Sequence, residues 1–220
     1  MNFDYLPRGP RGRPGESSPA FLIGPRIVLR PYRLADTQAV WEAIDESRAS
    51  LERWVPDIGC RRTPSDVRTG LESLLSDLRE RQIFAVCERV GGGILGEIGL
   101  YALDWSNGCG EIGYWLRETA RQRGYMAEAL QLVIDHATHG LGLRRLEAHI
   151  PAENTLSVRS AERQGFRIDR SRAPIAGLDA AAPTIMIYAR EHQSVLCSPH
   201  MLDKRERGIS EGQAIALRCF

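Results

Sequence analysis

Residues 111–140 read EIGYWLRETARQRGYMAEALQLVIDHATHG. The apolar and aromatic start of this stretch predicts a strand, and its second half repeats apolar residues at helical spacing. Between them, Arg121, Arg123 and Gly124 stand where the helix would begin. The first amide groups of a helix have no intrahelical partner and carry positive potential. The stretch therefore predicts a strand, a basic turn and a helix start that binds a phosphate or pyrophosphate.

The rest of the pattern predicts further strands and helices on both sides of this stretch. Upstream, it predicts a strand at 26–32, a helix with Asp36 as its N-cap, a short helix at 47–54, a helix that begins near Thr63, and strands at 83–87 and 94–102. Downstream, it predicts a strand at 145–150, a helix at 155–164 capped by Asn154, and strands at 166–169 and 184–188. Short polar turns before residue 111 favour an antiparallel meander. The helical connection from the 111 strand to the 145 strand favours a parallel pair.

Composition divides the chain into three regions. Residues 1–20, rich in proline, glycine and arginine, predict a flexible arm. Residues 21–192 carry the periodic pattern and predict one α/β domain. Residues 193–220 lose that periodicity and predict a tail that is partly disordered.

Charge and cysteine usage narrow the classes of function. The formal net charge is +1, from 29 basic and 28 acidic residues, which argues against a nucleic-acid partner. The five cysteines are widely spaced, so neither a disulfide framework nor a zinc site is expected. The sequence shows neither a membrane-spanning run nor a secretory signal core. We therefore expect a cytoplasmic protein that does not bind a membrane.

A second motif follows the predicted strand at 145–150. It runs from Glu153-Asn154 through Ser157 to Gly165-Phe166. Taken locally, Asn154 is a helix cap and Gly165 is a helix stop. The two motifs, with the elements between them, resemble the GNAT superfamily of acyl-CoA N-acyltransferases. More narrowly, they resemble the ribosomal-protein N-terminal acetyltransferases and their relatives.

This resemblance covers about residues 26–190 and implies a fold and a reaction. The implied fold is a single α/β domain with a mixed, mostly antiparallel sheet, a splayed parallel central strand pair and flanking helices. The implied reaction transfers an acyl group, most simply acetyl, from acetyl-CoA or another acyl-CoA to a primary amine. It proceeds by direct attack in a ternary complex and uses no metal.

The resemblance also implies which residues bind CoA. The pyrophosphate loop of the family has the form Gln/Arg-x-x-Gly-x-Gly/Ala, and Met126 departs from it at the last position. A methionine side chain can point away while its amide still binds phosphate. The implied CoA contacts are Tyr114, Trp115, Leu116, Arg121, Arg123, Gly124, Tyr125, Met126 and Asn154.

The implied catalytic residues are Ser157, Glu111 and His149. Many family members use a tyrosine seven residues after the asparagine to protonate the departing thiolate, but this chain has Ala161 there. In the ribosomal-protein branch a serine three residues after the asparagine contacts the sulfur instead, and Ser157 matches it. Glu111 is the first candidate for the base, and His149 is the second because imidazole titrates near neutral pH.

The acceptor stays open between a protein N-terminus and a small molecule. Trp54 and Trp105 lie in the regions that vary most among relatives and are the predicted substrate-pocket residues. A small-molecule acyltransferase with a carrier-protein or aminoacyl-tRNA donor is one alternative. A non-catalytic module that only senses CoA is another. Either a monomer or a homodimer is compatible with the pattern.

Overall fold

The computed structural model describes residues 21–76, 81–172 and 183–192, and within these ranges the chain forms eight strands and four α-helices. The predicted arm at 1–20 and the predicted tail at 193–220 lie outside the described residues. The elements, in chain order, are β1 (Leu22–Ile23), β2 (Ile27–Arg30), α1 (Thr37–Leu51), α2 (Pro64–Ser76), β3 (Gln82–Glu88), β4 (Ile94–Asp104), β5 (Cys109–Leu116), α3 (Tyr125–Asp135), β6 (Arg145–Pro151), α4 (Thr155–Arg163), β7 (Arg167–Arg172) and β8 (Ile185–Glu191). A π-helical turn, His136–Gly140, extends α3.

All eight strands join one sheet in the order β1-β2-β3-β4-β5-β6-β8-β7. Neighbouring strands are antiparallel except β5 and β6, which are parallel. The α/β class and the mixed, mostly antiparallel sheet are therefore confirmed. The parallel pair arises where α3 carries the chain back over the sheet, as the helical connection predicts.

Helices cover both faces of the sheet, and each face buries its own hydrophobic cluster. The cluster beneath α3 includes Leu130, Val133 and Phe166, all fully buried. The cluster beneath α1 and α2 includes Ile44 and Leu71. Because β5 contributes Ile112 to the first cluster and Trp115 to the second, its two faces are buried on opposite sides.

Helix α1 is longer than the sequence pattern predicts. The separate short helix predicted at 47–54 is wrong, because α1 runs without a break to Leu51 and a turn at 52–54 follows it, before a 3-10 helix at Pro56–Cys60. Its buried stripe continues through Ser47 and Leu51 at the same helical spacing. Ser47 is fully buried, and its Oγ accepts the amide of Glu118 at 2.8 Å. Ser47 therefore connects the buried face of α1 to the turn that follows β5.

Strands β5 and β6 pair only at their beginnings. Their register is Cys109–Arg145, Gly110–Leu146 and Glu111–Glu147, and it goes no further. Beyond that point β5 continues to pair with β4 as far as Leu116, and β6 continues to pair with β8 as far as Pro151. The sheet therefore opens into a cleft between the two strands, which confirms the splayed parallel pair.

Candidate active site

The turn at 117–124, between β5 and α3, carries the predicted anion-binding residues. Gly124 is the N-cap of α3 and has a φ of 80°, a left-handed conformation that favours glycine. Because glycine has no side chain to cap the helix, no N-cap side-chain bond occupies the first-turn amides. Arg121 Nε donates to the Leu116 carbonyl at 3.1 Å. Met126 packs its side chain against the core, so its departure from the loop pattern does not fill the turn.

Arg26 is a further basic residue at this helix start, and the sequence motif does not include it. Its Nη1 donates to the Arg123 carbonyl at 2.8 Å, and its guanidinium lies 5.2 Å from the centre of the Tyr125 ring. Its Nε pairs with the Glu128 carboxylate at 2.9 Å. The contact to Arg123 joins residues 97 positions apart, so no local pattern indicates it. The predicted anion site therefore has a further cation beside it, from the residue that precedes β2.

Tyr114, Trp115 and Leu116 form the part of β5 that lines the cleft. Trp115 is buried beneath α1 and α2, and Leu116 is buried beneath α3. The Tyr114 hydroxyl donates to the Ser157 carbonyl at 3.1 Å, and burial raises the pKa of Tyr114, so the hydroxyl keeps its proton. Because these side chains lie above and below the sheet, the main-chain groups at the β6 edge of β5 face the cleft.

Asn154 and Ser157 lie in the first turn of α4, which follows β6. Asn154 Oδ1 accepts the Ser157 amide at 3.3 Å, which confirms the helix cap. Ser157 is half-buried, and its carbonyl accepts the Tyr114 hydroxyl. The bond from Tyr114 holds the start of α4 against β5, across the cleft.

Glu111 and His149 meet where β5 and β6 part. His149 Nδ1 lies 3.4 Å from Glu111 Oε2, and His149 Nε2 lies 3.0 Å from Glu147 Oε2. The structure thus brings together two of the three predicted catalytic residues. With a carboxylate beside each ring nitrogen, the imidazole is fixed in orientation and a proton on either nitrogen has an acceptor.

Glu147 is the most strongly held of the three side chains Glu111, His149 and Glu147. Its hydrogen bond to His149 is the main cause that lowers its pKa to about 2, and Arg145 and Arg170 lower it further despite the burial. Arg145 donates to Glu147 Oε1 at 3.1 and 2.9 Å, and Arg170 Nη2 lies 3.2 Å from both oxygens. Glu147 therefore stays ionised at neutral pH and orients the imidazole of His149, a role that the sequence did not assign to it.

The two predicted pocket tryptophans lie at different places. Trp54 follows α1, is half-buried, and has the guanidinium of Arg53 4.5 Å from its ring centre. Trp105 lies in the turn after β4 and packs against the cluster beneath α3. Their part in binding the acceptor stays a prediction.

Comparison with known protein families identifies the family to which this chain belongs. The family model for an acetyltransferase (GNAT) domain matches residues 26–167. The chain belongs to the GNAT acetyltransferase family. The matched range contains the parted strands, the start of α3, the Glu111–His149 pair and Arg26.

Individual relatives of this GNAT chain agree with that assignment. It is 31% identical over 97 residues to the ribosomal-protein-serine acetyltransferase of Escherichia coli (strain K12), covering 44% of this chain and 54% of that protein. The chain thus spans about half the length of this curated relative. Two solved structures share the fold, at 19% and 18% identity. One is RimL, a ribosomal L7/L12 α-N-protein acetyltransferase in complex with coenzyme A, with a TM-score of 0.72 and coverage of 78% and 98%. The other is the microcin C7 self-immunity acetyltransferase MccE in complex with acetyl-CoA and AMP, with a TM-score of 0.71 and coverage of 77% and 94%.

Two features are absent from the part of the GNAT chain that the structure describes. None of the helices in residues 21–76, 81–172 and 183–192 is long and apolar enough to cross a membrane. In the same ranges, no group of three or more histidine, cysteine or acidic side chains is arranged to hold a metal ion.

Proposed function

We propose that this GNAT chain transfers an acetyl group from acetyl-CoA to a primary amine by direct attack in a ternary complex. The cleft that opens beyond the Glu111–Glu147 pair carries the proposal. A basic helix start lies where β5 ends, and an imidazole between two carboxylates lies where the strands part. The relatives that bind coenzyme A or acetyl-CoA support the choice of donor.

The cleft offers a distinct partner to each part of the donor. The pyrophosphate would bind the amides of 124–126 and the guanidinium groups of Arg121 and Arg123. The pantetheine amides would pair with the main chain of 114–116, which lacks a strand partner on the β6 side. Asn154 would contact the same arm from the start of α4.

The chemistry requires a neutral amine, a stabilised oxyanion and a protonated leaving group. The amine lone pair attacks the thioester carbonyl carbon, a C–N bond forms, and the tetrahedral oxyanion takes a hydrogen bond from a main-chain amide of β5. The C–S bond then breaks and the electron pair leaves on sulfur. Ser157 would donate a hydrogen bond to this thiolate, while Glu111 or His149 takes the amine proton, directly or through water.

The acceptor that we propose first is a protein N-terminus. An α-amino group has an ordinary pKa near ~7.7–8.0, so a weak base suffices, whereas a lysine at ~10.4 needs more help. The names of the ribosomal-protein relatives support this choice. A small-molecule amine is the second candidate, supported by the likeness to MccE. A cytoplasmic location and a monomeric or homodimeric state stay predictions.

A turnover screen tests the proposal. The purified full chain is mixed with acetyl-CoA and a panel of free-N-terminus peptides, N-blocked lysine peptides and aminoglycosides, and thiol release and product mass are measured. We expect thiol release with acetylation of the peptide α-amine. Coenzyme A binding by calorimetry without thiol release across the panel would contradict the proposal and favour a sensing module. Wild-type turnover in a Glu111→Gln, Ser157→Ala double variant would contradict the residue roles.

A specific variant pair tests the donor. Arg121→Ala and Arg123→Ala should raise the KM for acetyl-CoA, because each removes a cation beside the pyrophosphate. The KM for acetyl-CoA should stay unchanged in Arg163→Ala, at the far end of α4. Equal KM values in all three variants would favour a donor without the CoA nucleotide.

A further inference from the structure

Glu97 is a buried carboxylate on β4 that the proposed mechanism does not use. Its register partners are Ala85 and Trp115, which both belong to the cluster beneath α1 and α2, so Glu97 faces that layer. It is 6% exposed, and Oε1 accepts the Tyr101 hydroxyl at 3.2 Å. No basic side chain of the described residues forms an ion pair with it. A buried carboxylate with so few partners requires a further donor or cation.

Tyr32 brings an incompletely satisfied hydroxyl to the same place. It is 2% exposed, and its hydroxyl is a buried side-chain oxygen of the described residues that makes no well-formed hydrogen bond, although it lies close enough to the Glu97 carboxylate for that contact to raise the pKa of Tyr32. Burial raises the pKa of both Tyr32 and Tyr101, and the charge of Glu97 raises both pKa values further, while the charge of Arg61 lowers them. The two hydroxyls therefore stay protonated within electrostatic reach of Glu97. Buried hydroxyls in native proteins generally have a partner.

The position of Tyr101 connects this group to the cleft. A Cβ atom on either Gly99 or Gly113 would lie 3.1 Å from Tyr101 Cε2, so the ring lies on the sheet over these paired glycines. Gly113 immediately precedes Tyr114, where β5 lines the cleft. Tyr101 is also the register partner of Glu111. The carboxylate and the two hydroxyls thus adjoin the cleft from the side of α1 and α2.

We propose that Tyr32, Glu97 and Tyr101 form a pocket that binds the ammonium group of the acceptor. This inference rests on the proposed function, because it names the side chains that receive the amine. An ammonium group has three N–H donors, which match the open oxygen sites of Glu97 and the acceptor lone pairs of the Tyr32 hydroxyl. The pocket selects a cationic acceptor and disfavours an anionic one, and it holds the amine until it loses a proton for attack.

Kinetics of two variants test this pocket. Glu97→Gln should raise the acceptor KM by about tenfold to a hundredfold, because a hydrogen bond to a charged group is lost. Tyr32→Phe should raise it by about fivefold and should change the melting temperature little, since the hydroxyl makes no well-formed hydrogen bond within the protein. The KM for acetyl-CoA should stay constant in both. The control is Glu72→Gln, an exposed change on α2 that should alter neither KM.

Binding of a defined probe keeps the test independent of turnover. Saturation-transfer NMR on the CoA-loaded protein compares Ala-Ala-Ala amide with its N-acetylated form. We expect the free-amine peptide to bind the wild type and the Glu72→Gln control more tightly than the two pocket variants, and the acetylated peptide to bind all four weakly. Equal binding of the free-amine peptide to all four proteins would overturn the pocket. A selective NMR response without thiol release would support the pocket while contradicting the proposed turnover.

Discussion

Replacing Glu128 with glutamine tests how the start of α3 is held in place. Glu128 Oε1 accepts the amides of Arg26 and Ile27 at 2.9 and 3.2 Å, and Oε2 accepts Arg26 Nε at 2.9 Å. The carboxylate side chain is 12% exposed, so water replaces little of what is lost. A Cβ on Gly24 would clash with Oε1, so the chain before β2 packs closely against this carboxylate.

The expected loss follows from the three hydrogen bonds of Glu128. Glutamine keeps one oxygen acceptor for the two amides but places an NH2 donor against Arg26 Nε. One charge-assisted bond is therefore lost and two become neutral bonds, which together destabilise the protein by about 2–3 kcal/mol. For a chain of this size, the melting temperature should fall by about 5–10 °C. Because the released Arg26 side chain also leaves the Arg123 carbonyl, affinity for coenzyme A should fall about threefold to tenfold.

Thermal unfolding and calorimetric titration with coenzyme A measure both effects. The matched control is Glu162→Gln, an exposed residue on α4. A melting temperature within 1 °C of that control, an interval set at about the error of such measurements, would refute the stabilising role of Glu128. A lower melting temperature with unchanged coenzyme A affinity would refute the link between Glu128 and the anion site.

Three further changes have definite expected results. Glu147 has a pKa of about 2 against an ordinary 4.5, so the stability that its ionised form contributes is present above pH 4.5 and is lost as the pH falls toward 2. Glu147→Gln should therefore remove at most about 3 kcal/mol of this acid-dependent stability. Circular dichroism followed against pH measures the loss. Tyr114→Phe removes the hydrogen bond to the Ser157 carbonyl and should lower the free energy of unfolding by about 1 kcal/mol, measured by urea denaturation. It should also lower kcat, measured by turnover, and an unchanged kcat would contradict a positioning role for this bond. Gly124→Ala forces a side chain into a φ of 80°, 3.1 Å from Arg26 Nη2, and should destabilise the protein by about 1–2 kcal/mol and weaken coenzyme A binding, by denaturation and calorimetry.

The parts of the fold that depend on local chemistry could be predicted from the sequence. Thr63 and Asp66 exchange the reciprocal bonds of a capping box, and Asn154 caps α4 with its own side chain. The strand–turn–helix order at Gly124 also sufficed to predict the parallel pair. Each of these features uses residues a few positions apart, so their spacing carries the information.

Long-range contacts explain what the sequence did not predict. Asp36 was expected to cap α1 but makes no side-chain cap bond. Its carboxylate instead binds both terminal nitrogens of Arg30 at 2.7 and 2.8 Å and the Arg33 amide at 2.8 Å. A bidentate arginine is a stronger partner for a carboxylate than one helix amide, so the ion pair prevails. The edge strand β1 was missed because only two residues pair, and pairing depends on the partner strand β2.

At the predicted anion site, too, the motif is local in the sequence, whereas some residues that hold its turn in place lie far away along the chain. The turn at 117–124 is held at one end by Arg26 and Glu128 and at the other by α1. Glu46 on α1 accepts the Thr119 amide and hydroxyl at 3.2 and 2.8 Å and pairs with Arg117. The bond to Arg117 is the main cause that lowers the pKa of Glu46 to about 2, so this support is charged at neutral pH. Because Arg26 and Glu46 lie outside the recognised motif, the motif predicts the ligand chemistry, whereas residues elsewhere in the chain help to fix the geometry of the turn.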